Sequence, residues 1–255
     1  MAITEVYKKP TVTSVIFQIV FPTFFSMESK IGDYQLKIME RFPKSTLLIQ
    51  NQVVFSQSAT IEGKINMPSN EHMPGTKKIW QFKTDDESVT LNITADTLDI
   101  SSSKHKTYNN ANSDSKFRDT IEFVVSNFLK IIPLFSINRI GLRYLDDCPL
   151  PENLSNNSFL EYYNSSINFL KIDDVNNSAT LLFYSNTIID GVTVQYKEQL
   201  SKIDNKYEYK LDFDGQNANI ISSNYLAITD HIHDVIVKQF EDAIKEPVLK
   251  IMKDE

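Results

Sequence analysis

The sequence predicts an α+β fold of tandem duplicated units, with an antiparallel sheet curved around long helices. Three observations point there. Apolar residues alternate in short runs bounded by turns, as at Val15, Phe17, Ile19 and Phe21. Two long segments, ending at Pro133 and near Pro247, carry apolar residues at helical spacing. The order of elements then restarts near residue 135.

Val12 to Phe21 reads as a strand, which Pro22 stops. Ser26 is the expected N-cap of a helix from Met27 to Phe42, with Ile31, Tyr34, Ile38 and Phe42 in one stripe. Short strands are expected near Thr46–Phe55, Lys78–Thr84, Ser88–Ala95 and Thr97–Ser101. The polar, turn-rich segment Ser102–Ser115 is expected to be a mobile loop. Asp114 or Ser115 should then cap a helix through Ile132, whose stripe is Phe117, Ile121, Val124, Val125, Phe128 and Ile132.

In the second half, Ile137 to Leu145 (INRIGLRYL) reads as a strand closed by Asp146-Asp147-Cys148-Pro149. Phe159 to Leu170 has Phe159, Tyr163, Ile167 and Leu170 in helical register. Strands follow at Ala179–Thr187, Val192–Leu200 and Lys206–Asp214, the last with Tyr207, Tyr209, Leu211 and Phe213 on one face. Thr229 is the expected cap of a final helix that turns Ile232, Ile236, Phe240 and Ile244 inward, and Pro247 should kink it or begin a last turn.

Residues 1–135 thus read as a β-α-β(4)-α half and 136–255 as a β-α-β(3)-α half of one compact, pseudo-duplicated unit. Aligning Phe128 with Phe240 superposes Val124 on Ile236, Val125 on Val237 and Ile132 on Ile244. The arrangement is similar to the TATA-binding-protein-like and helix-grip class, which speaks to fold and not to function.

Composition narrows the chemistry. The 255 residues include six glycines, none within ten residues of another, so neither G-x-G-x-x-G nor a Walker A loop can be written. Four histidines and one cysteine leave little material for a structural zinc site, and no cofactor or metal is implied. Cys148 has no partner in its own chain, which suits a reducing compartment, and the preceding Asp146 and Asp147 disfavour a thiolate. The net charge of −7, with only four arginines, works against a phosphate backbone as general partner. The first apolar stretch, Val15 to Phe25, is short and interrupted by Gln18, Pro22 and Thr23, so no membrane span or signal peptide is expected and the chain reads as cytoplasmic.

VYKKPTVTSVIFQIVFP, IGDYQLKIMERFP, the WQF strand at Trp80–Phe82, RIGLRY at Arg139–Tyr144 and DHIHDVIVKQFEDAI occur in that order along nearly the whole chain. Together they resemble a sporadically distributed family of cytosolic prokaryotic proteins of about this length, marked by the RIGLRY strand, with no established activity. The chain departs from the family in having Leu145-Asp146 where an asparagine tends to follow RIGLRY, and in a longer loop around Lys104–Asp114. The resemblance implies a setting among accessory genes, such as mobile elements, toxin–antitoxin pairs or anti-phage systems, and no mechanism.

Within RIGLRY, Arg139 and Arg143 project from one strand face with Gly141 between them, a geometry that could hold a carboxylate or phosphate against the backbone. Each arginine would equally pair with a neighbouring carboxylate. With Asp146 they are the candidate binding residues; no catalytic residue is assigned. Asp230, His231, His233 and Asp234 lack the i, i+4 histidine spacing of a helical metal site and read as a helix start with surface histidines. Asp173-Asp174 and Asp212-x-Asp214 read as solvated carboxylates, and Trp80, Phe82, Tyr207 and Tyr209 as core rather than base-stacking platforms.

The resulting expectation is a non-enzymatic recognition or adaptor protein in a prokaryotic defence, toxin–antitoxin or regulatory system. It would bind a protein partner, with room for a small ligand between sheet and helix; a homo-oligomer is compatible, a membrane is not. Two alternatives stand beside it. One is a nucleic-acid-binding protein using the concave sheet, with Arg139, Arg143 and nearby lysines on phosphates. The other is an enzyme of unrecognised class with Asp146, His231 or His233 as acid or base.

Overall fold

Alternation places the core. Along β1 (Val12–Val20), Val15, Phe17 and Ile19 are buried while Ser14, Ile16, Gln18 and Val20 are not. Such a strand must cover one face and leave the other in contact with water. The computed structural model describes residues 6–51, 76–172 and 174–254. After β1 come α1 (Met27–Ile38), β2 (Lys44–Asn51), β3 (Thr76–Lys83), β4 (Val89–Ile93), β5 (Thr97–Ser102) and α2 (Phe117–Ile131). Then follow β6 (Ser136–Cys148), α3 (Asn156–Tyr162), β7 (Thr180–Ile189), β8 (Val192–Ile203), β9 (Lys206–Ile221), α4 (Tyr225–Ala243) and α5 (Glu246–Lys253).

The nine described strands form one antiparallel sheet in the order β2-β3-β4-β5-β1-β6-β9-β8-β7. The first strands of the two halves are central neighbours, with Phe17 opposite Leu142 and Gln18 opposite Gly141. The longer helices lie over the face that carries Phe17 and Leu142. Tyr34 of α1 donates to the Val124 carbonyl of α2 at 3.1 Å and meets Phe128 edge-on at 5.5 Å. Phe128 in turn meets Phe21, also at 5.5 Å between ring centres. One continuous set of buried side chains runs from Val15 to Met252 across residue 135. Among the described residues no helix is long and apolar enough to cross a membrane.

α4 lies on β6, β8 and β9, and its closest approach is at Gly215 of β9. A Cβ there would meet Ile232 Cγ2 at 2.7 Å and Ile236 Cδ1 at 2.9 Å. Gly215→Ala is therefore expected to cost about 1–3 kcal/mol through overpacking. Gly141→Ala, whose new methyl finds its nearest neighbour at 3.9 Å, should melt close to the wild type. Denaturant melts of the two variants side by side check this, and equal midpoints would refute the close approach.

Several helix bounds differ from the sequence expectation: α1 starts at Met27 as expected but ends at Ile38 rather than Phe42. Ser26 precedes α1 without a side-chain cap. α2 begins at Phe117 rather than after an Asp114 or Ser115 cap, because backbone carbonyls of Thr107 and Tyr108 accept from the Phe117 and Arg118 N–H groups. α4 begins at Tyr225, so Thr229 lies inside the helix and donates its hydroxyl back to the Tyr225 carbonyl at 2.7 Å. Ser155 and Ser158 form a capping box for α3. That helix stops at Tyr162 instead of reaching Leu170, because the chain there bridges the end of α4: Tyr163 pairs with Ile244, and the Asn164 N–H donates to the Ala243 carbonyl at 2.9 Å. Pro247 opens α5. The expected strand at Thr46–Phe55 is seen as far as Asn51; its remainder lies outside the described residues, as does Asp173.

Candidate functional site

Strand alternation separates the residues singled out in the sequence. Arg139, Gly141 and Arg143 lie on the sheet face away from α4, whereas Tyr144 and Asp146 lie on the covered face. Arg139 donates to Gln216 at 2.9 Å and also to Gln18, which donates to Asp99. Arg143 makes a two-bond pair with Asp212 at 2.8 and 2.6 Å, which raises its pKa further despite burial. Asp214 and Asp99 on the same face are pushed up mainly by burial. The two arginines are thus held by amides and a carboxylate of neighbouring strands, and the face around them is rich in acid. Structure does not bring Arg139 and Arg143 together with Asp146.

Asp146 lines a cleft of about 580 Å³ between β6, α4 and the segment 106–112. Only 6% of Asp146 is exposed. Thr11 donates its hydroxyl to Asp146 Oδ1 at 2.8 Å. Burial raises the carboxyl to a pKa of about 7; Thr11 and Lys106 act against the shift, and Asp147 and Asp212 add to it. A carboxyl group that titrates near neutrality at the wall of a cleft is a functional-site signal.

Across the cleft stands His233, on the inward side of α4. Its Nδ1 is 3.0 Å from the Tyr144 hydroxyl, and its ring stacks on Tyr108 at 4.2 Å. Burial lowers the imidazole pKa to about 4, against the pull of Asp230. The ring is therefore neutral at pH 7, and its Nδ1 and the Tyr144 hydroxyl share one hydrogen bond. Tyr108 donates to Asp230 Oδ1 at 2.7 Å, and Arg118 clasps both oxygens of Asp230 at 2.8 and 3.0 Å. Burial works to raise the Asp230 pKa, but the hydrogen bonds from Arg118 and Tyr108 outweigh it and hold the group below its usual range. Segment 102–115, expected to be a mobile loop, is thereby pinned: Tyr108 and His105 are buried, and the Thr107 and Tyr108 carbonyls start α2.

The reading of His231 and His233 as a pair of surface histidines holds for His231, which is exposed and meets the Asp190 carbonyl at 2.9 Å. His233 instead packs inward, as its alignment with Ile121 in the superposition of the two halves suggests. Asp230 is the sixth residue of α4 and serves the Arg118 and Tyr108 contacts rather than a helix start. No set of three potential metal ligands converges among the described residues. Cys148 is buried, and burial with the charges of Asp146, Asp147 and Glu198 pushes its thiol up. Phe82 and Tyr209 are core, and the Tyr207 hydroxyl donates to the carbonyl of Asn176 at 2.8 Å. Asp174 accepts from the Asn176 N–H in a short turn.

No protein-family profile matches the chain, and no functionally described protein matches its sequence. The remaining walls of the cleft are aromatic or apolar in large part: Tyr7, Phe213, Ile236, Phe240 and Met252. Among the described lining residues the one cationic side chain is Lys106, which is exposed and donates to the Val12 carbonyl at 2.7 Å. On α4, Asp230 and Asp234 face the same space.

Proposed function

We propose that the protein is a recognition protein that takes a small organic ammonium compound with an apolar body into the cleft between α4 and the sheet. The observation that carries this reading is Asp146, a buried carboxyl on the cleft wall whose Oδ1 alone accepts a side-chain hydrogen bond among the described residues, from Thr11. An ammonium group beside it offsets the cost of ionising a buried carboxyl, and aromatic faces favour the same charge. An anion would meet Asp146, Asp230 and Asp234 instead.

Phenethylamine, 2-phenylethanol and 3-phenylpropionate test the charge assignment in thermal melts of the full chain. The amine is expected to raise the melting temperature, more at pH 8 than at pH 6, because binding draws on the ionised Asp146; Asp146→Asn should abolish its advantage. Equal stabilisation by all three would leave a ligand cleft without cation selectivity. Stabilisation by none would remove the cleft reading.

A second reading, acid–base catalysis at the same place, is favoured by Asp146 and His233 sharing one cleft with pKa values of about 7 and about 4. A metabolite extract incubated with the protein separates the two: a compound retained unchanged supports recognition, and one consumed by the wild type but not by Asp146→Asn supports catalysis.

Within this proposal the two halves are a duplicated unit of the TATA-binding-protein-like or helix-grip kind. Its support is the sheet order, which in each half runs first strand, last strand and so on to the second strand, as β1-β5-β4-β3-β2 and β6-β9-β8-β7. Passing a ligand signal to a protein partner, in the cytoplasm of a prokaryote with a conflict or regulatory system, is the setting we propose from the RIGLRY resemblance.

A further inference from the structure

β7 ends the sheet, and among the described strands β8 is its one neighbour. Exposed edges in natural proteins are commonly blunted by charge, proline, a bulge or shortness, because a bare row of N–H and C=O groups invites another strand. β7 has none of these. Its ten residues, TLLFYSNTII, contain no charged residue and no proline, and its register with β8 runs unbroken from Thr180 to Ile189. Leu182, Tyr184 and Ile188 project from the face away from α4 and are 58%, 56% and 77% exposed.

The sequence of the edge is complementary to itself. Placed antiparallel to a second β7 with Ser185 opposite Ser185, it sets Leu181 opposite Ile189, Leu182 opposite Ile188, Phe183 opposite Thr187 and Tyr184 opposite Asn186. Every leucine meets an isoleucine, and no like charges face each other, although the chain as a whole carries −7. That pairing is isologous, with both copies offering the same patch about an axis at Ser185.

We propose that β7 is a homodimer seam, pairing antiparallel with β7 of a second copy about an axis at Ser185 so that two nine-stranded sheets join into one. The seam is independent of the ligand cleft, which lies on the covered face beside β6.

Sedimentation equilibrium of the full chain tests it. The wild type is expected at twice the monomer mass at micromolar concentration. Tyr184→Lys and Ile188→Lys, both exposed in the monomer, should weaken association on the order of tenfold or more while leaving the melting curve of the monomer in place. The register has its own readout: Ser185→Cys should oxidise to a covalent dimer and Thr187→Cys should not, with the native Cys148 buried away from both. A monomeric wild type overturns the seam and leaves the edge for a strand from another protein. A dimer untouched by both lysine variants, or cross-linked at Thr187→Cys and not at Ser185→Cys, overturns it as well.

Discussion

Asp146→Asn is expected to become more stable relative to the wild type as pH rises from 4 to 8, by up to about 4 kcal/mol. The folded carboxyl titrates near 7, against 3.8 for the free group. Between those values the native state holds a proton that the unfolded chain has released, so wild-type stability falls as pH rises through that window. Asparagine has no proton to lose. His233 and His105 run the other way: each has its pKa lowered by burial to about 4, so their contribution is full above 6.5 and declines as pH falls toward 4. They mask Asp146 in the wild-type profile alone, but they cancel in the difference between the two proteins. Urea melts of both at intervals of pH give that difference directly. A gap that stays level from pH 4 to pH 8 would mean the carboxyl is solvated in the folded state.

Glu198→Ala should produce the largest loss of stability of any single change considered, about 4 kcal/mol. Glu198 of β8 is fully buried and accepts hydrogen bonds from four groups. The Ser166 N–H donates to it at 2.9 Å, the Tyr209 hydroxyl at 2.9 Å, the Tyr196 hydroxyl at 3.3 Å, and the Ser165 hydroxyl completes the set. Removing the carboxylate leaves the buried Tyr209 hydroxyl and the half-buried Tyr196 and Ser165 hydroxyls without their acceptor beside a fully buried gap, a desolvation and cavity cost. Glu198→Gln keeps one carbonyl oxygen and lets the hydroxyls turn, so it should cost about 1–2 kcal/mol. Calorimetry of the two variants checks the ordering; an alanine variant as stable as the glutamine one would show that water replaces the carboxylate.

Glu198 also shows where a sequence stops being readable. Strand order of apolar residues was legible from β1 to β9, because burial of one sheet face imposes a period of two on Val15, Phe17 and Ile19 and on Tyr209, Leu211 and Phe213. The helix stripes of α2 and α4 were legible for the same reason at their own period. Phe159, Tyr163, Ile167 and Leu170 have a helical spacing too, yet Ser165 and Ser166 are drawn to Glu198 and the helix ends at Tyr162. A hydrogen-bond demand from 32 residues away along the chain overrode local pattern.

Asp146 was legible as a candidate, though for its place after RIGLRY rather than for burial. Its real companions, Tyr108 and His233, come from a polar loop and from a helix whose start was read one turn late. Their meeting depends on the Arg118–Asp230 clasp across 112 residues, a contact with no local signature.

The central pairing of β1 with β6 has a consequence for synthesis. While a nascent chain emerges, β1 can be satisfied on one side by β5, but its other edge waits for residues 136–148. Until then the inner edge of the first half is open, and its neighbour is the least local contact of the sheet, at a loop-closure cost that slows its formation. The first half is thus a sheet with an unfinished border during translation, and its completion is a late event that depends on the second half being made. A ribosome stalled just before β6 would present that border to whatever holds nascent chains.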